Sequence, residues 1–291
     1  MTCPEIPRID AHQHFWRYVP DHYRWIDDSM LVLKRDYLPN DLKPLLKAHQ
    51  ISGCIAVQAR QSEQETNALL ALAKEHPWIA GVIGWVDVRD ASLPDALDRW
   101  QDVQRLRGFR HQIQDEANPN EFLADTAFNQ GVAILQTRGY LYEILIKSSS
   151  LAATYDFARR HDRQPLILDH LGKPPVTHGN FQTWAEQLAP LAALPHVHCK
   201  LSGLITEAEW ATWQPDQLLP YLNQALELFG PERLLFGSDW PVCRLAGEYD
   251  QVYQLTQQAL ASLSASERAA IMGGNAIRLY GLTEQAQEYA A

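Results

Sequence analysis

Little in this chain points to a membrane, a nucleic acid or an oxidising compartment. No apolar stretch among its 291 residues approaches the roughly 20 needed to span a bilayer. Lys and Arg total 25 against 35 Asp and Glu, a net charge of −10, so the basic face that nucleic-acid binding requires is missing. The acidity itself selects no substrate. Only four cysteines occur, Cys3, Cys54, Cys199 and Cys243, and none forms a C-x-x-C pair. Their scatter fits reduced thiols, with Cys199 and Cys243 read as packing residues. The stretch Met1–Glu5 has neither a basic n-region nor an apolar h-region, so no signal peptide is expected, and the reading is a cytoplasmic protein. There is no internal repeat, low-complexity tract or Gly/Ser linker. There is also no G-x-S-x-G elbow and no Cys–His pattern to support covalent catalysis.

What the chain does contain is alternation. Hydrophobic residues make up 46% of it, and β-rich runs recur between helix-like segments. The runs are Arg8–His14, Gly53–Ala59, Ile79–Val88, Leu106–Ile113, Leu141–Lys147, Leu166–Leu171, Val197–Gly203 and Leu234–Trp240. Most are spaced by roughly 25–40 residues, as successive βα units require. Ser62-Glu63-Gln64-Glu65 has the capping-box pattern ahead of Leu69, Leu70, Leu72 and Ala73. Leu218, Leu222, Ala225, Leu226 and Phe229 form one helical stripe, stopped by Gly230. Val252, Thr256, Ala259, Leu260 and Leu263 form another, and Ser264-Ala265-Ser266-Glu267 reads as the cap of a terminal helix. Eight such alternations predict an α/β fold, a single-domain (β/α)₈ TIM barrel over residues 1–291, with a doubly wound sheet as the structural alternative. The first connection, residues 15–38, is unusually long and aromatic: Phe15, Trp16, Tyr18, Tyr23, Trp25 and Tyr37. It reads either as a lid that stacks on a ring-shaped substrate, Trp16 in particular, or as rings packing the loop onto the barrel.

A barrel presents its active site at the C-terminal ends of its strands. The first strand ends in Ile9-Asp10-Ala11-His12-Gln13-His14-Phe15, and residues two apart on a strand share a face, so His12 and His14 project together. The sixth ends in Leu166-Ile167-Leu168-Asp169-His170, where inward-pointing Leu166 and Leu168 would carry His170 inward too. On the eighth, Leu235, Gly237 and Asp239 share a face, Gly237 leaving space. Three imidazoles and one carboxylate at a single opening make a divalent metal site.

Taken together, these and other segments resemble the amidohydrolase superfamily, and most of all its lactonase branch. The carrying motifs are Ile9-Asp10-Ala11-His12-Gln13-His14-Phe15-Trp16, Gly108-Phe109-Arg110-His111-Gln112-Ile113-Gln114-Asp115-Glu116, Leu168-Asp169-His170-Leu171-Gly172-Lys173-Pro174, Cys199-Lys200-Leu201-Ser202-Gly203 and Phe236-Gly237-Ser238-Asp239-Trp240-Pro241. They span the chain from Arg8 to Gly281. The branch includes L-fucono- and L-rhamnono-lactonases and a pyrone-dicarboxylate lactonase. The resemblance implies a (β/α)₈ barrel, metal positions at His12, His14, His170 and Asp239, and hydrolysis of a cyclic ester. Binuclear members carry a carboxylated lysine on the fourth strand, but Arg107–Gln112 has none, so two bridged metals are not expected. Members of this branch range from one bound metal to none needed; the expected cofactor here is one divalent ion, with zinc suited to these donors.

Lactone hydrolysis needs an activated water, a stabilised oxyanion and a proton for the leaving oxygen. Asp239 is the candidate base, a metal on His12 and His14 the activator, and His170 a third ligand or oxyanion donor. Asp10 and Asp169 are candidates to orient the imidazoles. Arg110 reads either as a grip on substrate oxygens or as a salt bridge to Asp115 or Glu116. Gln58 and Arg60 are candidates for hydroxyl binding, with Trp85, Tyr142, Lys173, Lys200 and Trp240 behind them. The few strand-end arginines fit a neutral aldonolactone better than a dicarboxylate. The expected partner is therefore a small lactone; exposed barrel faces permit a homodimer, which no pattern identifies. The runner-up is a metal-dependent decarboxylase of an unsaturated acid, and a third reading is a barrel that binds a metal or metabolite without turnover.

Overall fold

The computed structural model describes residues 6–282, so Cys3 and the first and last few residues of the expected domain lie outside the described residues. Its eight strands are β1 (Arg8–Gln13), β2 (Ile51–Val57), β3 (Ile79–Gly84), β4 (Leu106–His111), β5 (Leu141–Ile144), β6 (Leu166–Leu168), β7 (Val197–Leu201) and β8 (Leu234–Phe236). All eight lie where alternation predicts, and each pairs in parallel with the next. Past the strand ends a parallel bridge between Gln13 and Trp240 joins the last strand to the first, with the His14 N–H donating to the Trp240 carbonyl at 2.7 Å. Helices fill the connections, giving the (β/α)₈ barrel. No helix among the described residues is long and apolar enough to cross a membrane.

Apolar residues divide into two layers. Ile9, Ala11, Ile55, Ile83, Ile167 and Leu235 pack together inside the barrel. Leu166, Leu168, Phe109, Tyr142 and Cys199 belong to the larger cluster between strands and helices. The expected parity of the sixth strand is thereby reversed: Ile167 faces inward, and Leu166 and Leu168 face the helices. His170 reaches the opening because the strand stops at Leu168 and the chain turns through a left-handed conformation at His170 (φ 53°) and Leu171 (φ 55°). The β1–β2 register also shifts between Asp10 and Gln13, a bulge that re-aims the side chains at the end of β1.

The helix caps follow the sequence in part. Ser62 caps the helix Glu63–Glu75, accepting from the Gln64 N–H at 3.2 Å. Glu65 does not complete the expected box. It is buried and accepts instead from the Ala59 N–H (2.9 Å), the Arg60 N–H (2.6 Å) and the Tyr23 hydroxyl (3.1 Å). Gly230 (φ 67°) ends the helix Pro215–Phe229, and Ser264 with Glu267 forms the expected box at Ala265–Ala269.

The long first connection is stapled down by its own rings. Trp16 and Tyr37 pair backbone to backbone, both hydrogen bonds at 2.9 Å, and Trp16, Tyr23 and Tyr37 are buried. Phe15 and Tyr37 pack against Trp240. Of the loop's aromatic residues, Trp25 alone lines the central pocket, with its Nε1–H donated to the Ala59 carbonyl at 2.9 Å.

Candidate active site

The bulge in β1 aims both His12 and His14 at the barrel mouth. The two Nε2 atoms lie 3.3 Å apart. His14 Nδ1 stands 2.7 Å from the Val57 carbonyl, which can only accept, so Nδ1 carries a proton and Nε2 is the nitrogen turned toward the other site residues. Asp239 is itself left-handed (φ 56°), its N–H donating to the His12 carbonyl at 2.8 Å. Its Oδ1 faces all three imidazoles: 3.3 Å from His14 Nε2, 3.7 Å from His12 Nε2 and 3.9 Å from His170 Nε2. His170 is anchored from behind by the Ser202 hydroxyl, 2.9 Å from Nδ1. Two glycines make room. A Cβ at Gly237 would lie 2.7 Å from the His12 Cβ, and one at Gly203 (φ 62°) would lie 2.4 Å from His170 Nδ1.

These donors fit one divalent ion. Bonds of about 2.0–2.1 Å around a tetrahedral centre put neighbouring ligand atoms about 3.3–3.4 Å apart. The His12–His14 and His14–Asp239 separations match that spacing, and the two longer ones lie a few tenths of an ångström beyond it. His12, Asp169 and His170 form a second, overlapping donor group.

A buried ionic layer lies beneath the donors. Lys200 Nζ is 3.2 Å from His12 Nδ1 and 3.2 Å from Asp169 Oδ1, and it also bonds Glu143. Glu143 in turn accepts from the Tyr280 hydroxyl at 2.6 Å. Arg110 donates to Asp169 Oδ2 (3.0 Å), to the Gln58 side chain (2.9 Å) and to the Gln58 carbonyl. It also sits 3.2 Å from His12 Nε2. The expected pair of Arg110 with Asp115 or Glu116 does not form, because Glu116 holds His111 instead at 2.6 Å.

Burial, with Lys200 close by, keeps the His12 imidazole well below its usual pKa and therefore neutral. Burial likewise brings His170 down to about 4. For both Asp169 and Asp239 burial opposes ionisation. Lys200, His12 and Arg110 outweigh it at Asp169, and the three histidines outweigh it at Asp239, so both carboxyls stay below the usual carboxylate range. Burial pushes Glu143 upward against the pull of Lys200.

Over this floor opens a cavity of about 280 Å³, lined among others by His14, Arg110, His170, Lys173 and Asp239. The remaining candidates fall elsewhere. Gln58, Lys200 and Trp240 are buried beside or beneath the site and do not line the cavity. Trp16 and Arg60 line a neighbouring cavity under the first loop. Trp85 donates to His111 Nδ1 at 3.2 Å. Tyr142 faces the helical layer, between Phe128 and Phe157, and does not line the cavity. Of the two candidate orienting carboxylates, Asp169 faces His12 (3.3 Å to Nδ1). Asp10 instead ties β1 to β8, accepting from the His12 N–H (3.1 Å), the Ser238 N–H (2.9 Å) and the Tyr249 hydroxyl (3.1 Å). Glu143, Ser202 and Tyr280 were not foreseen. Glu143 carried a readable signal, a charged residue two positions after Leu141 in an otherwise buried strand. Tyr280 carried none, since only the tertiary fold brings it there.

The profile of the family described as Amidohydrolase matches residues 9–282. The chain belongs to the amidohydrolase family. This amidohydrolase is 47% identical over 289 residues to a protein of Burkholderia multivorans named L-fucono-1,5-lactonase, covering 96% of this chain and 97% of that one. It is 34% identical over 279 residues to an L-fucono-1,5-lactonase of Burkholderia ambifaria, covering 94% and 95%. It is also similar to a crystal structure of an amidohydrolase from Burkholderia multivorans with bound zinc, at TM-score 0.92 and 47% identity, covering 94% of this chain and 99% of that one. The family and the donor geometry together support a divalent metal at the His/Asp cluster.

Proposed function

We propose that this amidohydrolase opens a sugar-derived lactone, of the L-fucono-1,5-lactone kind on which its relatives are named, to the aldonic acid. The observation that carries the reading is one ionised carboxylate, Asp239, turned toward three imidazoles at the floor of a small pocket. The residues suit one zinc ion held by His12, His14 and Asp239, with His170 as a further nitrogen; such an ion lowers the pKa of water and polarises a carbonyl.

With Asp239 Oδ1 turned to the histidines, we assign Oδ2 to taking a proton from the attacking water. Water adds to the lactone carbonyl carbon, the ring C–O bond breaks, and the same carboxyl returns its proton to the departing ring oxygen. Arg110 is committed to Gln58 and Asp169, so we assign it to holding Asp169 against His12 rather than to gripping substrate. Lys173 lines the pocket and is the cation we assign to substrate hydroxyls. The three described cysteines, Cys54, Cys199 and Cys243, are buried free thiols, which fits a reducing compartment such as the cytoplasm.

The test is acid release from a panel of sugar lactones in weakly buffered indicator. Wild-type protein should acidify the solution on at least one aldonolactone, and Asp239→Asn should be slower by about 10²–10⁴-fold. Elemental analysis should find up to one equivalent of zinc, lost in the His12→Ala/His14→Ala double variant. Acid release no faster than that of Asp239→Asn across the panel would reject the lactonase reading. Proton uptake with gas release from an unsaturated acid would put the decarboxylase in its place.

A further inference from the structure

His12 can ligate through Nε2 only when its ring proton sits on Nδ1, and two neighbours compete for Nδ1. Asp169 Oδ1, 3.3 Å away, is an acceptor and draws the proton there. Lys200 Nζ, 3.2 Å away, can only donate, and a bond from it to Nδ1 would leave the ring proton on Nε2, on the metal side. Lys200 is fully buried, so its N–H groups must find acceptors within the protein. Glu143 on β5 is one such acceptor, 2.5 Å from Nζ, and Asp169 Oδ1 at 3.2 Å is another. Glu143 is steadied in turn from the far end of the barrel. Tyr280 follows the helix Asn275–Leu279, belongs to the interior cluster with Ile9, Ala11 and Ile55, and donates its hydroxyl to Glu143 Oε1 at 2.6 Å. Burial raises the Glu143 carboxyl to about 7, while Lys200 and the Tyr280 hydroxyl act to keep it ionised.

We infer that Glu143 and Tyr280 are positioning residues for the metal site: they claim the Lys200 N–H bonds, so that His12 Nδ1 donates to Asp169 and Nε2 stays free to ligate. The charges point the same way. Lys200 and Arg110 balance Glu143 and Asp169, so the layer beneath the donors carries no net charge, and loss of Glu143 would leave a buried cation facing the ion. This inference rests on the metal-assisted reading above and does not depend on which lactone is opened.

The experiment measures zinc affinity of the full chain by competition with a chromogenic chelator, beside ¹⁵N NMR of the His12 ring in zinc-free protein. Glu143→Gln keeps the shape but trades the anionic acceptor for a neutral amide. It should weaken zinc binding about 10–100-fold and move the His12 ring proton from Nδ1 to Nε2. Tyr280→Phe loses only a hydroxyl and guards against a misfolded first variant; it should weaken zinc binding about five-fold, the worth of one buried hydrogen bond. Adding Lys200→Met to Glu143→Gln removes the competing donor, and the double variant should bind zinc about five-fold or more tighter than Glu143→Gln alone. A merely structural Glu143 would give no such recovery. Zinc affinity and ring proton unmoved in both Glu143→Gln and Tyr280→Phe, or a double variant no tighter than Glu143→Gln, would overturn the inference while leaving the metal site standing. Wild-type protein that binds no zinc would strike the metal reading and this inference with it. The expected zinc shifts without turnover of any lactone would uphold the inference and strike the hydrolysis alone.

Discussion

His12 is held from several sides at once. Fully buried, it has a cationic group 3.2 Å from each ring nitrogen, Lys200 at Nδ1 and Arg110 at Nε2, and Asp169 Oδ1 3.3 Å from Nδ1. A neutral ring with Nδ1 turned to the carboxylate leaves the Nε2 lone pair toward the opening, the carboxylate–histidine arrangement that orients metal ligands. The ring tolerates no crowding from below. Gly237→Ala would set a methyl 2.7 Å from the His12 Cβ, where both backbones are held by the Asp239-to-His12 hydrogen bond. The expected outcome is a loss of metal content by elemental analysis and at least a ten-fold fall in kcat, an order consistent with disturbed ligand support. Full metal content with unchanged kcat would show that the close approach under His12 is unimportant. Ser202, behind His170, was invisible to motif reading because serine on a strand end is commonplace; its role exists only once Gly203 lets the chain pass beside the imidazole.

At the scale of elements, the first loop shows how far an aromatic run can be read. The composition of residues 15–38 left open a substrate lid or a packed cover. Packing accounts for Trp16, Tyr23 and Tyr37, and only Trp25 reaches the pocket. What ties loop to barrel is Glu65, whose carboxylate gathers the Tyr23 hydroxyl and the Ala59 and Arg60 N–H groups. Glu65→Ala removes the buried acceptor from all three donors. The expected cost is about 3 kcal/mol in urea unfolding, from hydrogen bonds worth about 1 kcal/mol each. A rise in KM should accompany it as Trp25 loses its seat. An unfolding midpoint equal to the wild type would mean that the loop is held by its rings alone. Strand parity was the weaker guide. It placed His12 and His14 together at the end of β1 but misplaced Leu166 and Leu168, because parity along a strand does not say which face is the barrel interior.

At the scale of the whole molecule, two histidines far from the site carry a pH dependence. Burial holds His161 and His198 at about 4, below the 6.5 of an exposed imidazole. Between those values the unfolded chain takes up protons that the folded protein declines, so stability falls as pH drops from about 6.5 to 4. Each contributes up to about 1.4 kcal/mol per pH unit. Glu65 works the other way. Burial holds it up at about 7, above its ordinary 4.5, so its contribution is lost as pH rises through that window. Urea midpoints at pH 7, 6 and 5 should therefore show a flatter pH dependence in His161→Gln/His198→Gln than in the wild type; matching slopes would place the acid sensitivity elsewhere.

The order of eight strands, the helices between them and the residues at strand ends were set by hydrophobic periodicity and local motifs, which act over a few residues and can be read directly. The bulge in β1, the left-handed turns at His170 and Asp239, and the ionic chain from Tyr280 through Glu143 and Lys200 to His12 were decided by the closed barrel. They depend on register between strands and on charges from opposite sides of the interior meeting where water is excluded. No local pattern encodes either.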